Sequence, residues 1–204
     1  MPNLLDAAQP SGGALAHQDV QLVIIHDATG GPAEKLAQAV ADGVESAGAQ
    51  ALIRSAAPSL TRSSPEAVPP DALWNWPSVT LGDLERGDGV VIVTTTSFGR
   101  ISSSMAGVLD EAIDNLVSGE LSGLVGSAIV CPGDHPGGEV GTYLSVIGNL
   151  MQLGMVVAGK PKATGADDMA DKHDMGATPS PGHDLEEAYR QGAAVAKIAV
   201  KLAR

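Results

Sequence analysis

The stretch Val20-Gln21-Leu22-Val23-Ile24-Ile25-His26-Asp27-Ala28-Thr29-Gly30-Gly31-Pro32 decides the fold. Its apolar run stops abruptly at His26-Asp27, passes through small residues, and gives way from Ala33 to a helical pattern. A buried strand that feeds a glycine turn and then a helix N-terminus is where an α/β protein holds an anion, because free backbone N–H groups and the helix dipole converge there. The stretch therefore predicts an anion site cradled by Thr29, Gly30 and Gly31. The plainer reading is a strand-to-helix turn that binds nothing.

Working outward, Leu36, Val40 and Val44 recur every four residues between Lys35 and Val44, which predicts a helix with one apolar face. Ala49 to Arg54 reads as a second strand, followed by a Pro/Ser-rich segment from Pro58 to Pro77 that holds Trp74 and Trp76. Val90-Val91-Ile92-Val93 is wholly β-branched, so it reads as a strand, and it opens into Thr94-Thr95-Thr96-Ser97-Phe98-Gly99. Helices are expected over Ser103–Val117, Tyr143–Leu153 and Leu185–Leu202, and further strands over Val125–Val130 and Met155–Val157. A polar loop runs from Lys160 to His183. Strands alternating with helices build βαβ units around a parallel sheet, and ligands gather at the carboxyl ends of such strands. The loops expected there are 26 to 32, 94 to 102 and 131 to 139, all rich in Gly, Ser or Thr.

Composition sets bounds. The 204 residues suit one domain over 20–204, with residues 1–19 as an arm, and 44% hydrophobic content is ordinary for a soluble globule. The 24 acidic against 12 basic residues give a formal charge of −12, which repels nucleic acid and anionic lipid alike. Neither nucleic acid nor membrane is expected as a partner. The single cysteine, Cys131, has no internal disulfide partner; no run reaches membrane-span length, and the start lacks the features of a secretory signal. A cytoplasmic protein is expected.

Dispersed motifs then resemble one family, the flavodoxin-like NAD(P)H:quinone oxidoreductases of the WrbA type. Thr96-Ser97-Phe98-Gly99-Arg100-Ile101-Ser102 is similar to that family's T-R-F-G-N-M-S, with Met105, Leu109 and Asp110 at the family spacing. Ser118-Gly119, Leu121 and Gly123 match its S-G-x-L-x-G; Gly137-Gly138-Glu139 looks like its G-G-Q-E, and Gly154-Met155-Val156 like its H-G-M-V. Asp174-Met175-Gly176-Ala177 stands where the family has P-Y-G-A, and the last helix, from Gln191-Gly192 to Leu202, fits closely. The resemblance implies a flavodoxin-like α/β fold, a five-stranded parallel sheet of order 2-1-3-4-5 between helices. It also implies FMN at the strand ends, NAD(P)H as reductant, a quinone as acceptor, and a homo-oligomer. Carried over position by position, the flavin-binding residues are Asp27, Thr29, Gly30 and Gly31 in the first loop, Thr95, Thr96, Ser97, Phe98 and Gly99 in the second, and Pro132 and Gly133 in the third.

The pocket departs from the family more than the scaffold does. The first family loop leads with a hydroxyl, and here Asp27 stands in its place. Two unit charges about 4 Å apart repel by about 4 kcal/mol at an effective dielectric near 20, more than the about 1.5–3 kcal/mol of one charge-assisted hydrogen bond. Unless Asp27 turns away or is protonated, it disfavours a phosphate. Pro32 lacks an N–H but suits a first helical turn. The family's stacking Trp aligns with Leu116, its His with Leu153, and its third-loop Ser-Thr pair with Cys131-Pro132. These changes favour an alternative: a flavin-free relative that serves as an interaction module or binds another ligand.

Other features have bland readings. Cys131 reads as a half-buried strand-end residue, or as a nucleophile if His135 serves as its base. Asp167, Asp168, Asp171, His173, Asp174, His183 and Asp184 match no tight zinc or calcium spacing, so no metal site is expected. Trp74 and Trp76 suit the sheet edge or a subunit interface.

Overall fold

The computed structural model describes residues 19–27, 32–56, 76–115, 119–132, 137–161 and 183–203. The five apolar runs become β1 (Gln21–Asp27), β2 (Gln50–Ala56), β3 (Gly89–Thr95), β4 (Val125–Cys131) and β5 (Val156–Val157). They pair in parallel in the order β2-β1-β3-β4-β5, as the resemblance implied. Between them run α1 (Pro32–Ser46), α2 (Leu81–Arg86), α3 (Ser103–Asn115), α4 (Glu139–Gln152) and α5 (His183–Leu202).

Alternation along β1 divides the core in two. Leu22 and Ile24 pack with Leu36, Val40 and Val44 of α1 and with Val195 and Ala199 of α5. Val23 and Ile25 face the other way, toward Met105, Val108 and Leu109 of α3 and Val146 and Leu150 of α4. Helices on both faces explain why these strands read as continuous apolar runs rather than alternating ones.

The α1–α5 contact depends on two glycines. A Cβ on Gly43 would lie 2.0 Å from the Tyr189 carbonyl oxygen, and one on Gly192 would lie 2.1 Å from that of Val40. The two backbones therefore touch where these residues cross. Beside that contact, Gln191 Nε2 donates to Ser127 Oγ at 2.7 Å and to the Ala128 carbonyl at 3.2 Å, and Ser127 Oγ donates to the Ala158 carbonyl at 3.0 Å. This buried relay ties α5 to β4 and to the residue after β5.

Two differences from the sequence reading have local causes. Helix α4 begins at Glu139, a turn before the expected Tyr143: Gly137 and Gly138 take φ of 108° and 91°, and Glu139 Oε1 accepts the Gly137 N–H at 2.9 Å. The short α2 was not expected at all. It starts in a capping box in which Thr80 Oγ1 accepts the Asp83 N–H at 3.2 Å and Asp83 Oδ2 accepts the Thr80 N–H at 3.0 Å. Arg54 of β2 holds the same carboxylate, with Nε donating to Oδ2 at 3.0 Å and Nη2 to Oδ1 at 3.3 Å.

Candidate functional site

The strand order reverses between β1 and β3, which flank each other while their outgoing connections lead to opposite faces of the sheet. The carboxyl ends of two such strands form the crevice in which open α/β sheets bind ligands. Asp27, the last residue of β1, stands at that end of the sheet and is only 1% exposed. Its Oδ2 accepts from Thr94 Oγ1 at 2.9 Å, from the Thr95 N–H at 2.6 Å and from Thr95 Oγ1 at 2.9 Å. Its Oδ1 accepts from Ser102 Oγ at 2.6 Å. The carboxylate is thus turned onto the second loop, and among the described residues no cation pairs with it.

Ser102 completes the link to α3. While its hydroxyl proton goes to Asp27, Ser102 Oγ accepts the Met105 N–H at 3.1 Å, so the residue caps the helix N-terminus. One side chain on β1 thereby fixes the end of β3 and the start of α3.

The loop held this way carries a tight turn. Ser97 and Arg100 exchange backbone hydrogen bonds at 2.7 and 3.2 Å, and both residues between them have positive φ, Phe98 at 54° and Gly99 at 80°. Such a turn suits glycine or asparagine at both central positions, and a phenylalanine there costs about 1–2 kcal/mol. Phe98 nevertheless stands 85% exposed at the rim of the crevice.

The residue just ahead of α4, Gly138, approaches the same turn. A Cβ on Gly138 would lie 2.5 Å from Gly99 Cα, so the Gly137-Gly138 motif is needed both for its backbone conformation and for close approach. Behind the turn, Thr96 Oγ1 and Thr142 Oγ1 lie 2.8 Å apart, buried, joining β3 to α4. Burial pushes the phenol of the adjacent Tyr143 above its ordinary value of 10, so it stays neutral.

The structure therefore brings together Asp27, Thr95, Thr96, Ser97, Phe98 and Gly99, with Pro132 just past the end of β4. Thr29, Gly30, Gly31 and Gly133 lie outside the described residues, as do Trp74, Leu116, His135 and the acidic residues from Asp167 to Asp174. Sequence reasoning missed Ser102 and Thr142. A serine just ahead of a helical pattern is an N-cap signal that would have flagged the first; nothing local marks the second. Leu153 caps the far end of α4, beside the start of β5, so within one chain it does not join this site. Cys131 is 3% exposed rather than half-buried, with Sγ 3.5 Å from the Thr94 carbonyl.

His26 is fully buried, and its Nδ1 lies 2.9 Å from the Asp27 carbonyl. Its Nε2 is a buried polar atom with no hydrogen-bond partner among the described residues. Among the described residues no group of three or more His, Cys, Asp and Glu is placed to hold a metal ion, and no helix is long and apolar enough to cross a membrane.

No family model matches the chain. Curated proteins do. One from Paraburkholderia phymatum, named NAD(P)H dehydrogenase (quinone), is 34% identical over 200 residues, covering 89% of this chain and 98% of the relative. Another of that name, from Cupriavidus metallidurans, is 33% identical over 195 residues with the same coverage. Among solved structures, a WrbA-like flavodoxin from Agrobacterium tumefaciens superposes with a TM-score of 0.64 at 17% identity, covering 89% of this chain and 98% of the other. A flavodoxin from the domain Archaea follows at 0.61 and 16% identity, with coverage of 88% and 99%.

Proposed function

The chain belongs to the NAD(P)H dehydrogenase (quinone) family, and we propose that it is a WrbA-like, FMN-dependent oxidoreductase that passes electrons from NAD(P)H to a quinone, with an altered flavin pocket. The observation that carries this reading is the 34% identity running through 89% of the chain, which includes the turn at the β1–β3 switch point. FMN, when bound, supplies hydride acceptance and delivery, so the chain need only bind, orient and exclude.

On this reading Phe98 and Gly99 line the ring, with Thr95, Thr96 and Ser97 beside them, and Pro132 and Gly133 are the third loop's contribution that the resemblance implies. Thr29, Gly30 and Gly31 offer backbone N–H groups to the phosphate. The residues fit the ring better than the phosphate: the second loop offers an exposed aromatic on a braced turn, whereas the first loop is preceded by a buried carboxylate.

The protein is read as cytoplasmic and homo-oligomeric. Val140, Leu144 and Met151 are exposed on α4, and no charged residue occurs from Val140 to Gly159 in a chain of charge −12. Depletion of charge marks the surface on which two such copies can meet. One observation favours the second reading, a flavin-free interaction module: the donors around Asp27 are satisfied with no ligand.

A visible absorption spectrum of the purified protein, an FMN titration and a quinone-reduction assay with NADH and NADPH test the reading. Saturable FMN binding and FMN-dependent turnover are expected. Absence of flavin binding would transfer the assignment to the interaction module.

A further inference from the structure

We propose that the Asp27 carboxylate is a built-in anion that holds the ring-side loop 94–102 in place before any flavin arrives, and thereby shifts flavin recognition from the phosphate to the ring. Asp27 is a positioning residue in this role. The inference rests on the flavin reading for its second half only; the first half concerns the protein alone.

The geometry carries the first half. Four hydrogen bonds of 2.6 to 2.9 Å converge on one carboxylate from three residues: Thr94 and Thr95, the last two of β3, and Ser102, the N-cap of α3. The Thr95 N–H is a backbone donor past the β1–β3 ladder, which ends at the pair His26 and Val93. Without the carboxylate it would need another acceptor in the crevice. The turn bearing Phe98 lies between these anchors, so its strained backbone is held at both ends.

Charge carries the second half. All four donors to Asp27 are neutral and no cation pairs with it among the described residues, so no described group offsets the charge of the carboxylate at the strand end. The next residues in the chain, Ala28 to Gly31, are those to which the family resemblance assigns a dianionic phosphate. The ring end meets a braced loop and an exposed aromatic. The resulting specificity is for the isoalloxazine, with weak discrimination between FMN and riboflavin.

The test separates positioning from charge. Affinities for FMN and riboflavin are measured by fluorescence quenching for the wild type, Asp27→Asn and Asp27→Ala, together with amide hydrogen exchange over 94–105 in the flavin-free proteins. The wild type should favour FMN over riboflavin by less than about tenfold, or about 1.4 kcal/mol. Asparagine keeps an acceptor for the Thr95 N–H but loses the charge. It should leave exchange and riboflavin affinity within about threefold while raising the preference for FMN at least about tenfold.

Alanine should speed exchange over 94–105 at least about tenfold, leave exchange in α1 and α5 unchanged, and weaken riboflavin binding several-fold. A general loss of stability would not be confined to one loop. If Asp27→Ala does not fold, Thr94→Val removes one hydroxyl donor without changing side-chain shape, and should speed exchange in the same segment to a lesser degree. A wild type that favours FMN more than about a hundredfold, with no change in Asp27→Asn, would overturn the shift of recognition. Unchanged exchange in Asp27→Ala would overturn the positioning role. If no protein binds either flavin, the flavin reading fails, while the exchange data still decide whether Asp27 organises the loop.

Discussion

At the scale of single residues, two side chains sit in conformations or surroundings that packing does not explain. Phe98 is held in the left-handed region at φ 54° while 85% exposed, so it contributes little burial against a backbone cost of about 1–2 kcal/mol. Replacing it with glycine is therefore expected to stabilise the flavin-free protein by about 1 kcal/mol in urea unfolding. The same change should weaken flavin binding, because the aromatic edge is lost. A variant both less stable and equally able to bind flavin would show that Phe98 serves the fold instead. Asp27 is the second case. Its residue type was legible as a departure from a hydroxyl, but the direction of its carboxylate was not, since the donors that receive it lie 67 to 75 residues further along the chain.

At the scale of elements, glycines in helices separate into those that packing requires and those it does not. Gly43 and Gly192 stand where the α1 and α5 backbones touch; alanine at either must push the helices apart, and the expected loss is about 2–3 kcal/mol despite alanine's better helix propensity. Beyond the backbone of its own helix, no atom of the described residues lies within 4 Å of a Cβ added at Gly107 in α3, so Gly107→Ala should gain about 0.5–1 kcal/mol. Thermal unfolding of the three variants decides it, and equal effects at all three would contradict the crossing geometry. Helix α2 supplies a pH-dependent case. Burial alone would raise the Asp83 pKa, but hydrogen bonds from Arg54 and Thr80 and the Arg54 charge hold it below its ordinary 3.8. A carboxylate with a depressed folded pKa adds stability above its unfolded value and loses it as pH falls through the folded one. Asp83→Asn should therefore cost about 1–3 kcal/mol near pH 7, and its gap from the wild type should shrink as pH drops below 3.8. A gap that stays constant down to about pH 3 would rule out the carboxylate as its source.

At the scale of the whole molecule, the uncharged face of α4 is the place where a chain of charge −12 can meet its copy. If it does, Leu144→Glu, at a position 54% exposed, should leave the monomer's fold and stability unchanged while converting a larger species into one of 20.6 kDa by light scattering. A wild type already at 20.6 kDa would end that reading. The sequence by itself determined the strands and most helices, because β-branched runs and four-residue periodicity are local signals, whereas the strand order came with the resemblance that its dispersed motifs carry. It also determined which strand ends share one side, since parallel strands bring Asp27, Thr95 and Cys131 to the same end of the sheet. What only the tertiary structure decided is how those ends are held. The convergence of Thr94, Thr95 and Ser102 on Asp27, the pairing of Thr96 with Thr142, and the contact of Gly138 with Gly99 are each made across separate elements. A hydroxyl or a glycine reads the same in sequence whether it meets solvent, a ligand or another strand, and only the fold supplies the partner that gives it a role.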